Sequence, residues 1–292
     1  MTVSRLEIMY PFDHPAVDSL VRAALAEDIG RGDLTTDTTV PPDVCGTAEI
    51  VAKQAGVLAA GRIVAKVFAC LCGDDVCVAM TLAEGAVFGP GDVVGRLSGP
   101  AAQLLRGERV ALNFLQRLCG VATISKSFAE VVAGTGVRLV DTRKTTPGFR
   151  VLEKYAVRVG GASNHRGGLD DGVLIKDNHI VAAGGVAAAV ARARAGVPHT
   201  IRIEIECTEG AEIDAALAAG VDAILLDNMT LDEMRAAVRQ IDHRTVVEAS
   251  GGVRLDTVRA IAATGVDIIS VGALTHSAGS IDLSMRLRLD EV

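Results

Sequence analysis

Five basic or ionisable nitrogen side chains, Arg143, Lys144, His165, Arg166 and Lys176, fall in the stretch from Asp141 to Ile180 of a chain whose formal net charge is −7. They flank short apolar runs, Val137–Val140 and Gly172–Ile175. Cations placed beside buried strands converge on a pocket rather than scatter over a solvated face, and such a pocket takes a small polyanion. Arg143 and Arg166 suit a planar, bidentate grip on carboxylates. Lys144 and Lys176 suit phosphate or pyrophosphate as point charges, and His165 adds a donor beside Arg166. Arg150, Lys154 and Arg158 lie in a helical pattern and are expected on its surface.

The elements that must position these groups repeat. From residue 137 onward, nearly uninterrupted apolar runs (Val137–Val140, Val173–Ile175, Ile201–Ile205, Ala223–Leu226, Val246–Val247, Ile268–Val271) alternate with helical patterns. Gly-Val recurs at Gly136, Gly172, Gly196, Gly220 and Gly265, each ahead of one of these runs, as expected where a glycine closes a helix and the chain turns into a strand. Strands buried on both faces and joined by helices make a parallel sheet, and this many units favour a closed or nearly closed TIM-like barrel over an open doubly wound sheet.

Chemistry in such barrels sits at the carboxyl ends of the strands. There the chain places Asp141-Thr142-Arg143-Lys144, Lys176-Asp177-Asn178-His179, Glu204 and Glu206, Asp227-Asn228, Glu248 to Gly252, and Gly272. Glu206 and Asp227 end neighbouring strands, where their carboxylates can hold Mg²⁺, directly or through water, or accept hydroxyl protons from a ribose. A salt bridge to Lys144 or Lys176 is the structural alternative, and strict alternation puts Glu204 on the face of Glu206, leaving open which one faces the ligand. Ser250, Gly251, Gly252, Gly272 and Ala273 stand where barrels bind phosphate through backbone N–H groups, or where glycine simply makes a tight turn.

The region before the barrel reads as an α+β lobe. A one-faced helix over Pro15–Ile29 opens it, and strand-like pieces follow at Ala48–Ala52, Val76–Met80 and Val93–Leu97, with an apolar helix near Ile63–Leu71. A long helical pattern from Gln103 to Val132, interrupted at Gly120, bridges to the barrel. The expected division is therefore an N-terminal lobe over 1–118, a barrel carrying the site over 119–274, and a C-terminal segment, 275–292, able to rejoin the lobe.

Composition narrows the partners. An isoelectric point near 5.4 and 3% aromatic residues argue against a nucleic-acid surface, which wants a basic face or stacking rings. No apolar run reaches membrane-spanning length. The six cysteines form no CxxC pair, and residues 1–10 lack the basic start and apolar run of a signal peptide, so a cytoplasmic location is expected.

Several long segments together resemble the quinolinate phosphoribosyltransferase family: Glu27–Asp37, Gly107–Thr123, Asp141–Arg150, Asn164–His179, Ile203–Cys207, Leu225–Asn228, Glu248–Gly252 and Val271–His276. The resemblance spans almost the whole chain. It implies an N-terminal α/β lobe, an open α/β barrel, and a homodimer in which Arg109 is donated across the interface. It assigns Arg143, His165 and Arg166 to the dicarboxylate quinolinate, Lys144 and Lys176 to 5-phosphoribosyl-1-pyrophosphate, and Glu206 and Asp227 to the ribose hydroxyls and Mg²⁺. Three other readings share parts of this pattern: a paralogous phosphoribosyltransferase with another pyridine or pyrimidine acceptor, a flavin-binding barrel oxidoreductase using the terminal glycines, and a non-catalytic quinolinate sensor.

Overall fold

The computed structural model describes residues 11–289; the reading of residues 1–10 as lacking a signal peptide lies outside them. The chain divides into two compact units, and each takes discontinuous stretches of sequence. The first comprises 1–126, 145–161 and 278–292, the second 127–144 and 162–277.

The first unit opens with α1 (Pro15–Ile29), bounded as expected: Pro15 sits in its first turn, His14 Nδ1 accepts the Ala16 N–H, and Gly30 closes it with φ 55°. Then come α2 (Leu34–Thr39), β1 (Cys45–Ala52), β2 (Gly56–Val57), α3 (Arg62–Cys72), β3 (Cys77–Met80), β4 (Val87–Phe88), β5 (Val93–Pro100) and α4 (Ala101–Val131). The first unit also takes α5 (Arg150–Val159) and the last strand of the chain.

The helix α4 runs through Gly120 without interruption. A Cβ there would lie 1.7 Å from the carbonyl oxygen of Gly279, so the glycine allows a close backbone approach rather than breaking the helix. The two units part within this helix, between residues 126 and 127. Nor does α5 present Arg150, Lys154 and Arg158 as a surface row: Lys154 is buried, the other two are half-buried, and Arg150 Nε donates to Thr145 Oγ1 at 2.9 Å. The unit's own packing explains this, since Arg158 stacks over the ring of Tyr155, itself edge-on to Phe12.

The second unit is built on parallel strands: β6 (Arg138–Val140), β7 (Val173–Ile175), β8 (Ile203–Cys207), β9 (Ala223–Asp227), β10 (Val246–Ser250) and β11 (Ile268–Ser270). Between them lie α6 (Asp177–Ala183), α7 (Val186–Gly196), α8 (Gly210–Ala219), α9 (Leu231–Ile241) and α10 (Val258–Ala262), with α11 (Ala273–His276) after β11. The strands form one six-stranded sheet in the order β6-β11-β10-β9-β8-β7, and a single parallel bridge from Val140 to Ser163 adds a seventh position beside β6. The barrel is open, as the family resemblance implies: no strand pairing joins Ser163 to β7 among the described residues. Arg166 reaches across this sequence gap, donating from Nη1 to the carbonyl of Gly172 at 2.8 Å.

The Gly-Val repeat carries a second signal, an aspartate in the next position of two copies. Asp222 Oδ2 accepts the N–H of Ile203 on the neighbouring strand, and Asp267 Oδ2 accepts that of Val247, both at 2.8 Å. Gly220 is the left-handed cap of α8, as the repeat predicts, whereas Gly196 is still helical and Gly172 follows a loop.

The last strand, β12 (Leu283–Leu289), completes the first unit's sheet. It pairs antiparallel with β1 in the order β12-β1-β5-β3, so the C-terminal segment does join the N-terminal lobe; residues 290–292 lie outside the described residues.

Candidate active site

Along β8 the residues Glu204 and Glu206 share a face, and along β10 so do Glu248 and Ser250. The lumen they face is charged where a TIM barrel is ordinarily filled with branched apolar side chains. Its amino-end tier carries Arg138 and Arg202, its middle tier His165, Glu204 and Glu248, and its carboxyl-end tier Lys176, Glu206 and Asp227. Small neighbours such as Val140, Ala223 and Val246 leave a cavity of about 1040 Å³ running from the amino ends to the middle tier.

At the carboxyl ends, Arg143 and Lys144 follow β6, and Lys176 follows β7 directly and pairs with Glu206. The salt-bridge alternative for Glu206 is thus realised with Lys176. Arg143 comes near enough to Arg166 to matter: burial first, and then the charge of Arg143, hold the Arg166 pKa below its ordinary value, while Asp171 and Glu204 oppose this. Two guanidinium groups that influence one another in a partly buried place can together receive an added anion.

Asp227 ends β9, where its Oδ2 accepts from Asn228 Nδ2 at 2.7 Å. Asn228 (φ 53°) and Gly251 (φ 96°) are packed together; a Cβ on Gly251 would lie 2.2 Å from Asn228 Oδ1. Here glycine is required by both its conformation and the close approach. Gly272 opens α11, and a Cβ there would meet His276 at 3.0 Å and Lys144 Cδ at 3.3 Å. Gly272 therefore lets Lys144 and His276 approach over one backbone position, and Thr275 Oγ1 fixes the Lys144 carbonyl at 2.8 Å. The sequence reading quoted His276 in a motif without giving it a place in the site.

The middle tier answers which glutamate faces where. Glu204 Oε2 lies 3.2 Å from His165 Nε2, and Glu248 Oε2 lies 3.5 Å from the same atom; Glu206 is one tier higher, with Lys176. His165 is held on every side, since its Nδ1 accepts the N–H of Arg166 at 2.8 Å and its own N–H donates to Asp141 Oδ1 at 2.9 Å. Asp141 is fully buried, with Oδ2 accepting from Asn164 at 2.7 Å. Its place after an apolar strand suggested chemistry; its partners make it the anchor of the 163–165 segment.

In this cluster the protonation of His165 and that of Glu204 depend on one another. Burial opposes the charge on His165, but hydrogen bonds to Glu204 and Glu248 outweigh it and push the ring up to about 10; burial and then Glu248 also raise Glu204. A ring protonated at both nitrogens would aim Nδ1–H at the Arg166 N–H. The hydrogen-bond pattern is satisfied by a ring that accepts at Nδ1 and directs Nε2–H at the carboxylates. The same pattern speaks against a metal centre, although ligand atoms of the three residues lie within 4.8 Å of one another: a metal would need the Nε2 lone pair that this tautomer does not have.

Arg109 belongs to the first unit, on α4, with its side chain 58% exposed and Nη2 4.0 Å from Glu108 Oε1.

Two family models divide the chain between them: quinolinate phosphoribosyl transferase, N-terminal domain, over residues 33–119, and quinolinate phosphoribosyl transferase, C-terminal domain, over residues 121–286. The chain belongs to the quinolinate phosphoribosyltransferase family. Among its relatives, the probable nicotinate-nucleotide pyrophosphorylase [carboxylating] of Bacillus subtilis is 42% identical over 277 residues, 95% of each chain. The protein of the same name from Synechocystis is 45% identical over 275 residues, covering 93% of this chain and 92% of that one. The crystal structure of NadC from Streptococcus pyogenes superposes with a TM-score of 0.91 at 39% identity, over 97% of this chain and 99% of that one. The open barrel and the lobe that takes back the C-terminal strand are thus the architecture of the quinolinate phosphoribosyltransferase family. Among the described residues, no helix is long and apolar enough to cross a membrane.

Proposed function

We propose that this chain transfers the phosphoribosyl group of 5-phosphoribosyl-1-pyrophosphate to quinolinate, releasing pyrophosphate and CO₂ and giving nicotinate mononucleotide, as a cytoplasmic homodimer. Family membership supports the reaction class. The single structural observation that carries the acceptor is the placement of Arg143 just beyond β6 and of Arg166 beside the open edge that β6 begins, two guanidinium groups that a dicarboxylate would neutralise.

In this reading the pyridine nitrogen of quinolinate attacks C1 of the donor, and the C1–O bond breaks with its electron pair leaving on pyrophosphate. Lys144 and Lys176 stabilise the charge that grows on the leaving group. Glu206 and Asp227 accept from the ribose hydroxyls. Their hard carboxylate oxygens at adjacent strand ends also suit Mg²⁺, which when bound neutralises phosphate charge. Ser250, Gly251, Gly252, Gly272 and Ala273 offer backbone N–H groups to the donor's 5-phosphate. Once the ring nitrogen is quaternary, the adjacent carboxylate leaves as CO₂, its bonding pair stays on the ring carbon beside N⁺, and that carbon takes up a proton. Arg143 and Arg166, with Arg109 from a second copy, hold the two acceptor carboxylates until one departs as CO₂ and keep the other in place afterwards.

The test is pyrophosphate release by the purified chain with Mg²⁺ and the donor, run in parallel with quinolinate, nicotinate and no acceptor. Release with quinolinate, with equal CO₂, is expected. Charge-assisted bonds contribute roughly 1.5–3 kcal/mol each, so nicotinate, which leaves one cation unpaired, should react at least about tenfold less well. Efficient turnover of nicotinate would discard the dicarboxylate pocket, and no release with any acceptor would leave a sensor. For the dimer, mixing Arg109→Ala with Lys144→Ala subunits should restore activity that neither has alone; verified mixed dimers without activity would remove Arg109 from the shared site.

A further inference from the structure

Glu248 has no part in the chemistry above, yet it is 2% exposed on β10 and points its Oε2 at His165. Its Oε1 is buried without a hydrogen-bond partner among the described residues. A carboxylate left half-satisfied inside a protein is costly, and the costs of such groups are tolerated where they hold a site in one arrangement. The contacts lead in one direction. From β10 they pass through Glu248 to His165 Nε2, where Glu204 of β8 also arrives, and from His165 Nδ1 to the N–H of Arg166.

We propose that Glu248 is a positioning residue for the acceptor end of the site: through the His165 ring it fixes the backbone of Arg166, and so the guanidinium that receives an acceptor carboxylate. This rests on the phosphoribosyl-transfer reading above. The need for it is visible in the surroundings. Arg166 stands at the open edge of the barrel, on a segment joined to β6 by one bridge, and below it lies a cavity rather than packed side chains. Van der Waals packing therefore cannot set the position of this segment, and hydrogen bonds to Asp141 and His165 must. Glu248 and Glu204 hold the lower end of the ring from two sides; with Glu204 alone the ring can turn about its Cβ–Cγ bond and shift the acceptor of the Arg166 N–H.

The experiment compares Glu248→Leu, Glu248→Gln and the unaltered chain in steady-state kinetics, varying quinolinate at saturating donor and the donor at saturating quinolinate. Leucine removes one of the two carboxylates that face Nε2–H and leaves Glu204; glutamine keeps an oxygen there. Glu248→Leu is expected to raise the KM for quinolinate at least tenfold while the donor KM stays within about twofold, and Glu248→Gln to bring the quinolinate KM back to within about threefold of the unaltered chain. A merely structural role would move both KM values together, or neither, and either result overturns the proposal; so does a glutamine variant as impaired as the leucine one. His165→Leu breaks the same connection from its other end, and should reproduce the selective loss if Glu248→Leu does not fold. An unaltered chain that releases no pyrophosphate with quinolinate overturns the reaction itself, and this assignment with it.

Discussion

Glu153 in the first unit and Glu248 in the second are both carboxylates shut away from solvent, and they are treated in opposite ways. Glu153 is saturated: Oε1 accepts from Arg117 Nε and Nη2 at 3.1 and 2.8 Å and from Thr146 Oγ1 at 2.8 Å, while Oε2 accepts the Thr146 N–H at 3.0 Å. Glu248 shares one imidazole N–H with Glu204 and leaves an oxygen bare. Burial is the same and satisfaction is not. A saturated buried carboxylate ties chain segments together, whereas one kept short of partners beside a cavity signals that stability has been exchanged for the geometry of a site.

The sharpest way to break this contrast is to remove Glu153. Glu153→Ala leaves the half-buried Arg117 and the Thr146 N–H without their carboxylate and should cost about 3 kcal/mol, read as a lower midpoint in urea unfolding. A loss under about 1 kcal/mol would mean that saturation says nothing about structural weight. Steric closeness in the same unit gives a comparison without charge: Gly120→Ala drives a methyl group into the Gly279 carbonyl and should cost about 1–3 kcal/mol or more by the same measurement. Glu248→Leu is expected on the other side of the contrast, within about 1 kcal/mol of the unaltered stability or above it, because it removes an unsatisfied buried oxygen along with a contact.

The smallest effect belongs to a carboxylate at the surface. Asp18 is held at about 2, chiefly by its hydrogen bonds to Arg22 and Lys66. A folded value below the unfolded one means that its contribution is present above the ordinary carboxylate range and is lost as pH falls toward 2. Asp18→Asn should therefore lower stability slightly at neutral pH, with the difference from the unaltered chain vanishing as pH falls toward 2; an NMR titration of Asp18 with a midpoint near 4 would remove the basis for this.

Much of this was legible in the sequence, for physical reasons that can be named. Proline, an apolar stripe and glycine mark α1 to the residue, and Val173–Ile175 is an apolar run with a cation at its end. The strand-end rule collected Arg143, Lys144, Lys176, Glu206 and Asp227 because parallel strands bring their carboxyl ends, and the residues just beyond, to one side of the sheet. The same rule misread β10, which was expected to stop at Val247 because a charge normally ends a buried strand. It continues through Glu248 to Ser250, since His165, distant in sequence, waits inside for the carboxylate. Lys154 was placed on the surface, and Asp141 was read for chemistry, for the same reason: their partners come from other segments, and spacing along one segment cannot reveal them. Gly120 looked like a helix break because no local pattern records that Gly279 passes against it.

The pairing of β12 with β1 also bears on how the protein is made. All seven residues from Gly46 to Ala52 take partners from Leu283–Leu289, so this edge of β1 waits until that later segment has been made. About 230 residues separate the two strands, and at roughly 5–20 residues per second the ribosome needs on the order of 10–50 s to supply the second. For that interval the nascent lobe presents an unpaired strand edge, open to capture by another nascent chain on the same message.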